Sequence, residues 1–444
     1  MEIKTQDIPF NSQRLGLHYF PDHDHFGKKD IQRWLPLMQN LGIQWLTLQA
    51  PSNRAIPEDF LKELRLANIQ PIIHLHLSLE NPSTADDISP LLAAYAQRGV
   101  RYVAFFDRPN LRSSWPNVGW TQRKLVERFL EVFLPLAHAA LEEGLTPLFP
   151  PLEPGGDYWD TAFLRAALEE LQTRGEGLLL EQMGLSAYAW SEEKPLDWGS
   201  GGPESWPASL PYSTPDGSQD QRGFRIFDWY NAITRALVGK EMPLLVLAAG
   251  NNVNPNSISE DTNNRTIEMA KHLAQNVDHD NPSAYSVPEN VLALNFWLLA
   301  AEGSGTNEQI SWFDSHGNAS EIVSEWQAWK ENYSTAKYVD QKKIAKAPKE
   351  IKRSKNNFSH YLLLPTREWG ASDMDFEAIK PFILKHQATV GYSVEEAEQA
   401  SRVTLLGTEE TYYEGLIHQL RQAGCQIDKF EVDGTIIATK RQNQ

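Results

Sequence analysis

Tyr102-Val103-Ala104-Phe105-Phe106 is an apolar run of strand length that breaks abruptly into Asp107-Arg108-Pro109-Asn110-Leu111. A short, continuously apolar run between amphipathic stretches of helical length reads as a strand buried on both faces, as in a parallel sheet. The same pattern recurs on either side of it. Leu15 to Phe20, Trp45 to Gln49 and Pro71 to Leu77 precede it, and Thr146 to Phe149, Met183 to Tyr188, Leu244 to Ala248 and Val291 to Trp297 follow. Eight strands alternating with helices predict a closed (β/α)8 TIM barrel, in which chemistry sits where the strands run into the loops that follow them.

The intervening segments carry helix signals. Ile31, Trp34, Leu35, Met38 and Leu41 recur at helical spacing, and Asp160-Thr161-Ala162-Phe163-Leu164 opens another helix with Asp160 as its expected cap. Trp190 to Gly223, rich in Gly, Pro, Ser and Trp, is too long for a plain connection, and loops of that length usually carry function.

The barrel is expected to occupy residues 1–335. Residues 336–358 follow as a basic, solvated linker containing Lys342, Lys343, Lys346, Lys349, Lys352 and Arg353. Residues 359–444 restart the pattern as a small α/β sandwich of about four strands: Tyr361 to Leu364, Thr389 to Gly391, Val403 to Gly407 and Gln426 to Val432. Its strand ends lack the glycine-rich sequences that cradle phosphates, so docking or structural work is expected of it, including self-association through a sheet edge.

Composition narrows the function. At 444 residues, with 41% hydrophobic and 22% charged residues, the chain is an ordinary globular protein large enough for two domains. The formal charge of -17 repels a phosphate backbone and argues against nucleic acid. The longest apolar run, Val291 to Ala301, is interrupted by Asn295 and is too short for a membrane span of ~20 residues. The single cysteine, Cys425, and the absence of a leader-like start at Met1-Glu2-Ile3-Lys4 give a cytoplasmic expectation.

The Asp107-Arg108-Pro109-Asn110-Leu111 segment resembles the Asn-Glu-Pro-Asn-Leu segment of clan A glycoside hydrolases, and Ala248-Ala249-Gly250 resembles the Thr-Glu-x-Gly end of their seventh strand. The resemblance covers roughly residues 10–335 as a barrel, and its specific motifs are these two short segments. It implies a general acid/base Glu after strand four and a nucleophilic Glu after strand seven. Arg108 and Ala248 stand at those positions. Arginine holds its proton to a pKa above ~12 and opposes an oxocarbenium-like transition state, while a methyl group can neither attack nor activate water. Loss of general acid catalysis alone costs about 10²- to 10⁴-fold. No catalysis is therefore expected at Arg108 and Ala248. The leading expectation is a non-catalytic, glycoside-hydrolase-like protein that binds a saccharide or a protein partner, or serves as an assembly scaffold.

The competing reading is an active hydrolase using the replacement carboxylates Asp107, Glu153 or Asp314, or a metal-dependent hydrolase. For the latter, His18, His23 and His25 lie among Asp22 and Asp24, and His74 and His76 are two apart on strand three, hence on one face. Alternation leaves open whether Asp107 points where Arg108 points, and an Asp107–Arg108 ion pair is its bland reading. The histidines are expected to be core or sugar-binding groups, with no metal and no cofactor. Of the fourteen tryptophans, Trp115, Trp120, Trp159, Trp190, Trp198, Trp206 and Trp312 fall in expected loops, and two or three are expected to line the cleft. The expected ligand-facing set is His18, His74, His76, Asn110, Trp115, Trp159, Trp190 and Trp312.

Overall fold

In the computed structural model, the described residues are 14–191, 194–250, 260–274, 286–303, 305–330 and 360–364, then, with short gaps, 379–406, 414–430 and 436–438. The chain divides into two compact units, Met1–Thr335 and Ala336–Gln444. The expected linker, 336–358, lies outside the described residues.

The first unit is a closed parallel barrel. Its strands are β1 (Leu15–His18), β2 (Trp45–Ala50), β3 (Gln70–Leu75), β4 (Tyr102–Phe105), β5 (Thr146–Phe149), β6 (Gly184–Trp190), β7 (Leu244–Gly250) and β8 (Val291–Phe296), with β8 closing onto β1. Alternation sorts the side chains. Leu15, Leu17, Val103, Phe105, Leu185 and Leu294 face the helices, whereas Trp45, Ile72, Tyr102, Ala104, Leu148 and Leu245 fill the interior. Gly16 is required where β1 crosses the floor: a Cβ there would lie 2.1 Å from Asn295 Oδ1 and 2.7 Å from Trp45 Cβ.

The helix Lys28–Leu41 buries Ile31, Trp34, Met38 and Leu41, four of the five residues its spacing marked. The Asp30 carboxylate accepts from the Gly27 N–H at 2.8 Å at its start, which satisfies an end group that the helix leaves without a partner. The helix Asp160–Thr173 departs from expectation. Trp159 is its cap residue, and Asp160, fully buried, accepts instead from the Gly155 N–H and the Gln221 side chain.

The long segment after β6 folds on its own carboxylate. Asp220 accepts from Trp198 Nε1, Thr214 Oγ1 and Arg222 Nε at 3.1, 2.6 and 2.9 Å. Burial pushes this carboxyl up, but the Arg222, Thr214 and Trp198 hydrogen bonds pull it down to about 2. Gly199, at φ 74°, passes so close that a Cβ would sit 2.3 Å from the Asp220 carbonyl oxygen.

The second unit contains β9 (Tyr361–Leu363), β10 (Thr389–Gly391), β11 (Arg402–Leu406), β12 (Gln426–Phe430) and β13 (Ile436–Ala438), in the order β10-β9-β11-β12-β13. The first four are parallel, and β13 is antiparallel to β12. Tyr361, Leu363, Val403 and Leu405 pack on Leu416 and Leu420, and Leu362, Leu364 and Leu406 pack on Ile379 and Phe382 on the other side. This is the expected sandwich with one strand more than the pattern marked. Among the described residues, no helix is long and apolar enough to cross a membrane.

Candidate functional site

The barrel interior turns polar toward the strand ends. By alternation β1 contributes His18, β2 Thr47 and Gln49, β3 His74, β6 Tyr188 and Trp190, with Trp297 directly after β8. His18 meets Trp297 with ring centroids 4.5 Å apart. Trp190 stacks on Tyr188 at 5.9 Å and meets the edge of Trp297 at 6.2 Å. Trp190 and Trp297 are only half-buried, and with His18 and Tyr188 these four rings form an aromatic wall reaching from the polar layer toward solvent.

β4 does not end by simple alternation. Phe106 has φ 64° and Arg108 has φ 44°, left-handed conformations that cost a bulky L-residue of order 1 kcal/mol or more. The first of them turns the Phe106 ring outward against Phe129, with centroids 5.6 Å apart, so the next residue takes the inward place. Asp107 thereby meets groups of the barrel mouth. Its Oδ1 accepts from the Tyr188 hydroxyl at 2.7 Å, and its Oδ2 accepts from Arg108 Nε and Nη2 at 2.9 and 2.8 Å. Arg108 reaches on to Glu153 Oε2 at 3.4 Å and lies over the Tyr188 ring, 5.9 Å from its centroid.

The bland expectation for Asp107, an ion pair with Arg108, is therefore what the structure contains, and one guanidinium joins two of the three candidate carboxylates, Asp107 and Glu153. Burial pushes the Asp107 carboxyl up, and His76, His74 and Arg108 together more than offset it, holding it below its ordinary value. The imidazoles are neutral near pH 7: burial is the main cause for His18, pushed down to about 3, and for His74 and His76. The positive charge next to Asp107 near neutrality is thus that of Arg108. Tyr188 is raised well above its ordinary value by burial and by Asp107, so it stays a donor.

At the end of β7 the pairing with β8 slips between Val246 and Ala249, and both Leu247 and Ala248 face the interior. Ala248 pairs with Tyr188 and presents only a methyl group.

Several expected ligand-facing residues are committed elsewhere. Asn110 is fully buried, and its amide clamps the β4 and β5 exits: Nδ2 donates to the Glu153 and Tyr158 carbonyls, both at 2.9 Å, and Oδ1 accepts from the Glu153 N–H at 2.8 Å. Trp312 packs in the outer layer against Phe296 and Trp326. Trp115 donates to the Pro109 carbonyl and is covered by Arg128, and Trp159 is buried beside Tyr212 and Arg222. Asp314 does not face the cleft. It accepts from the His316 and Asn318 backbone N–H groups, and its turn lies against the outer helix Lys28–Leu41, where Arg33 donates to the Ser315 carbonyl at 2.8 Å.

His18, His74, His76 and Trp190 remain at the mouth, together with Gln49, Tyr188 and Trp297, which the sequence reading did not single out. The runs marked for strands six and eight already ended on Tyr188 and Trp297, and one further step of the alternation aligns Tyr188 with Trp190 on the inward face.

The sequence matches no known family profile and no curated protein. Solved structures to which the chain is similar include glycoside hydrolases. They include a family 39 glycoside hydrolase from the gut symbiont Bacteroides cellulosilyticus WH2, at 11% identity and TM-score 0.48, over 72% of this chain and 64% of that one. A monomeric beta-xylosidase from Caulobacter crescentus CB15 follows at 10% identity and TM-score 0.45, over 71% of this chain and 68% of that one. A beta-galactosidase from the psychrophilic Marinomonas ef1 has 9% identity and TM-score 0.43, over 94% and 75%. The chain thus spans less than two thirds of the length of the first of these, 64%.

Proposed function

We propose that this protein is a glycoside-hydrolase-like barrel that holds a saccharide, or a partner presenting one, at its mouth without cleaving it. The observation that carries this reading is the Asp107–Arg108–Glu153 bridge. A glycosidase needs one carboxyl that keeps a proton to donate and a second free to attack or to activate water. Here both nearby carboxylates are turned onto the same guanidinium, and Asp107 is held in its charged form. A charged Asp107 accepts hydrogen bonds from hydroxyls but has no proton to give.

What remains suits binding. Trp190 and Trp297 offer aromatic faces for the C–H side of a sugar ring, and Gln49, His76, Glu153 and Arg108 offer donors and acceptors for hydroxyls. A scaffold role would use the same mouth toward a protein.

Calorimetry against a panel of oligosaccharides, paired with assays on aryl glycosides, tests the proposal. Saturable binding that falls by about tenfold or more in Trp297→Ala, with no turnover, is expected. Turnover that disappears in Glu153→Gln or Asp107→Asn would sink the reading in favour of an active hydrolase with replacement carboxylates.

A further inference from the structure

We propose that His74, His76 and Asp107 form a binding site for one zinc-class divalent cation at the floor of the barrel mouth. This departs from the sequence expectation of no metal and goes beyond the saccharide-binding reading. The ligand atoms of the three residues lie within 4.8 Å of one another. His76 Nε2 and His74 Nδ1 are 3.1 Å apart. Two nitrogens each bound at about 2.0–2.1 Å to one tetrahedral ion sit about 3.3 Å apart, so the imidazoles are already spaced as a ligand pair.

The outer contacts fix which nitrogen faces the ion. The Phe106 carbonyl can only accept, so His74 Nε2 is the donor in their 2.7 Å hydrogen bond, and His74 Nδ1 carries the lone pair. That carbonyl sits on a residue with φ 64°, a conformation the β4 exit maintains against its cost. Without an ion, His76 Nε2–H donates to His74 Nδ1. With one, the proton of His76 resides on Nδ1, and both Nε2 of His76 and Nδ1 of His74 donate lone pairs. Both rings stay neutral, so no net proton need be released from them near neutrality.

Asp107 completes the set with a carboxylate oxygen. Tyr188 and Arg108 already hold that group charged, and each of its oxygens retains acceptor capacity. Two nitrogens and one oxygen suit zinc over magnesium, which prefers an all-oxygen shell. Three protein ligands leave a fourth position for water or a hydroxyl group. Arg108 is a like charge beside the site and shares the carboxylate, so it weakens the cation's hold.

Zinc chloride titrated into the full-length, chelator-treated protein is expected to bind at one equivalent near pH 7.5, and magnesium chloride to bind far more weakly. His76→Ala should weaken zinc binding about 100-fold or more. His138→Gln, altering a histidine of an outer helix paired with Glu176, should leave it unchanged. Arg108→Met should tighten it, which a purely structural role for the histidines would not produce. Zinc binding equal in the wild type and His76→Ala, or magnesium binding as tight as zinc, would overturn the site. Should His76→Ala fail to fold, cobalt(II) added to the wild type decides: intense visible bands of a four- or five-coordinate ion support the site, and the weak spectrum of a six-coordinate ion refutes it. The titration uses the ion alone, so its outcome is separate from whether a saccharide binds.

Discussion

Two aspartates buried in this barrel carry opposite perturbations. Asp160 is fully buried at the start of an outer helix, where it accepts from the Gly155 N–H, Gln221 and the Tyr230 hydroxyl, and burial outweighs these neutral donors to raise its carboxyl to about 6. Asp107 is also largely buried and also accepts from a tyrosine, yet it is held below its ordinary value. Asp107 differs in having His76, His74 and the Arg108 guanidinium beside it. Neutral donors leave a buried carboxyl more easily protonated than in water, whereas an adjacent cation keeps it charged. An acid catalyst needs the first environment. The barrel supplies it at Asp160, at the buried start of an outer helix, and supplies the second at Asp107, one residue before Arg108.

The comparison is broken most directly at Arg108. Replacing it with Met leaves Asp107 among neutral groups, as Asp160 is. Its carboxyl should then move from below to above the ordinary value, followed by carboxyl carbon chemical shifts across a pH titration. Urea unfolding should show a loss of about 1–3 kcal/mol from the partly buried charge left unpaired. An unmoved Asp107 would mean that the imidazoles and Tyr188, not the guanidinium, set its state.

The next effect is in the pH dependence of stability, where the signs differ. Asp160 has a folded pKa raised above its unfolded value of about 3.9, so its favourable contribution is complete below that value and is lost as pH rises to about 6. The span amounts to on the order of 3 kcal/mol. Asp160→Asn should flatten the stability profile in that window. Asp107 has a depressed folded pKa, so its contribution is present above about 3.9 and lost as pH falls through the lower folded value. Asp107→Asn should flatten only the acid limb. Identical profiles for the two variants would erase the distinction.

The smallest effect is expected at Gly199, which borders the third such carboxylate, Asp220. Alanine there must adopt φ 74° and would press on the Asp220 carbonyl oxygen. We expect a loss of about 1–2 kcal/mol, seen as a lower melting temperature, with the Asp107 and Asp160 titrations unchanged.

The barrel was legible because its strands are short apolar runs between helical patterns, a signal that survives without contacts. Each of the eight marked runs overlaps an observed strand. β13 escaped because Ile436–Ala438 is three residues long in polar surroundings and pairs antiparallel with β12. The mouth was less legible. The inward turn of Asp107 depends on a left-handed Phe106, and nothing in the residue type Phe announces a positive φ. Asp314 looked like a strand-end residue, but β8 ends at Phe296 and the chain then passes through Leu298–Ala301 and the short helix Thr306–Ile310 before it turns outward. Asn110 and Trp312 have the side chains of ligand-binding residues and spend them on the fold, a distinction made only by neighbours distant in sequence.

The bridge between the fourth and fifth strand exits has a further consequence. The Arg108 side chain is 43% exposed, so its grip on Asp107 and Glu153 is felt partly through electrolyte. The Debye length shrinks from about 10 Å at 0.1 M ionic strength to about 3 Å at 1 M. The rim of the barrel is therefore tuned by ionic strength: added salt loosens the Arg108–Glu153 contact, while the buried Asn110 amide still holds the two strand exits together. An occupant with no charge of its own would still be held with a salt-dependent affinity, through the stiffness of the rim that receives it.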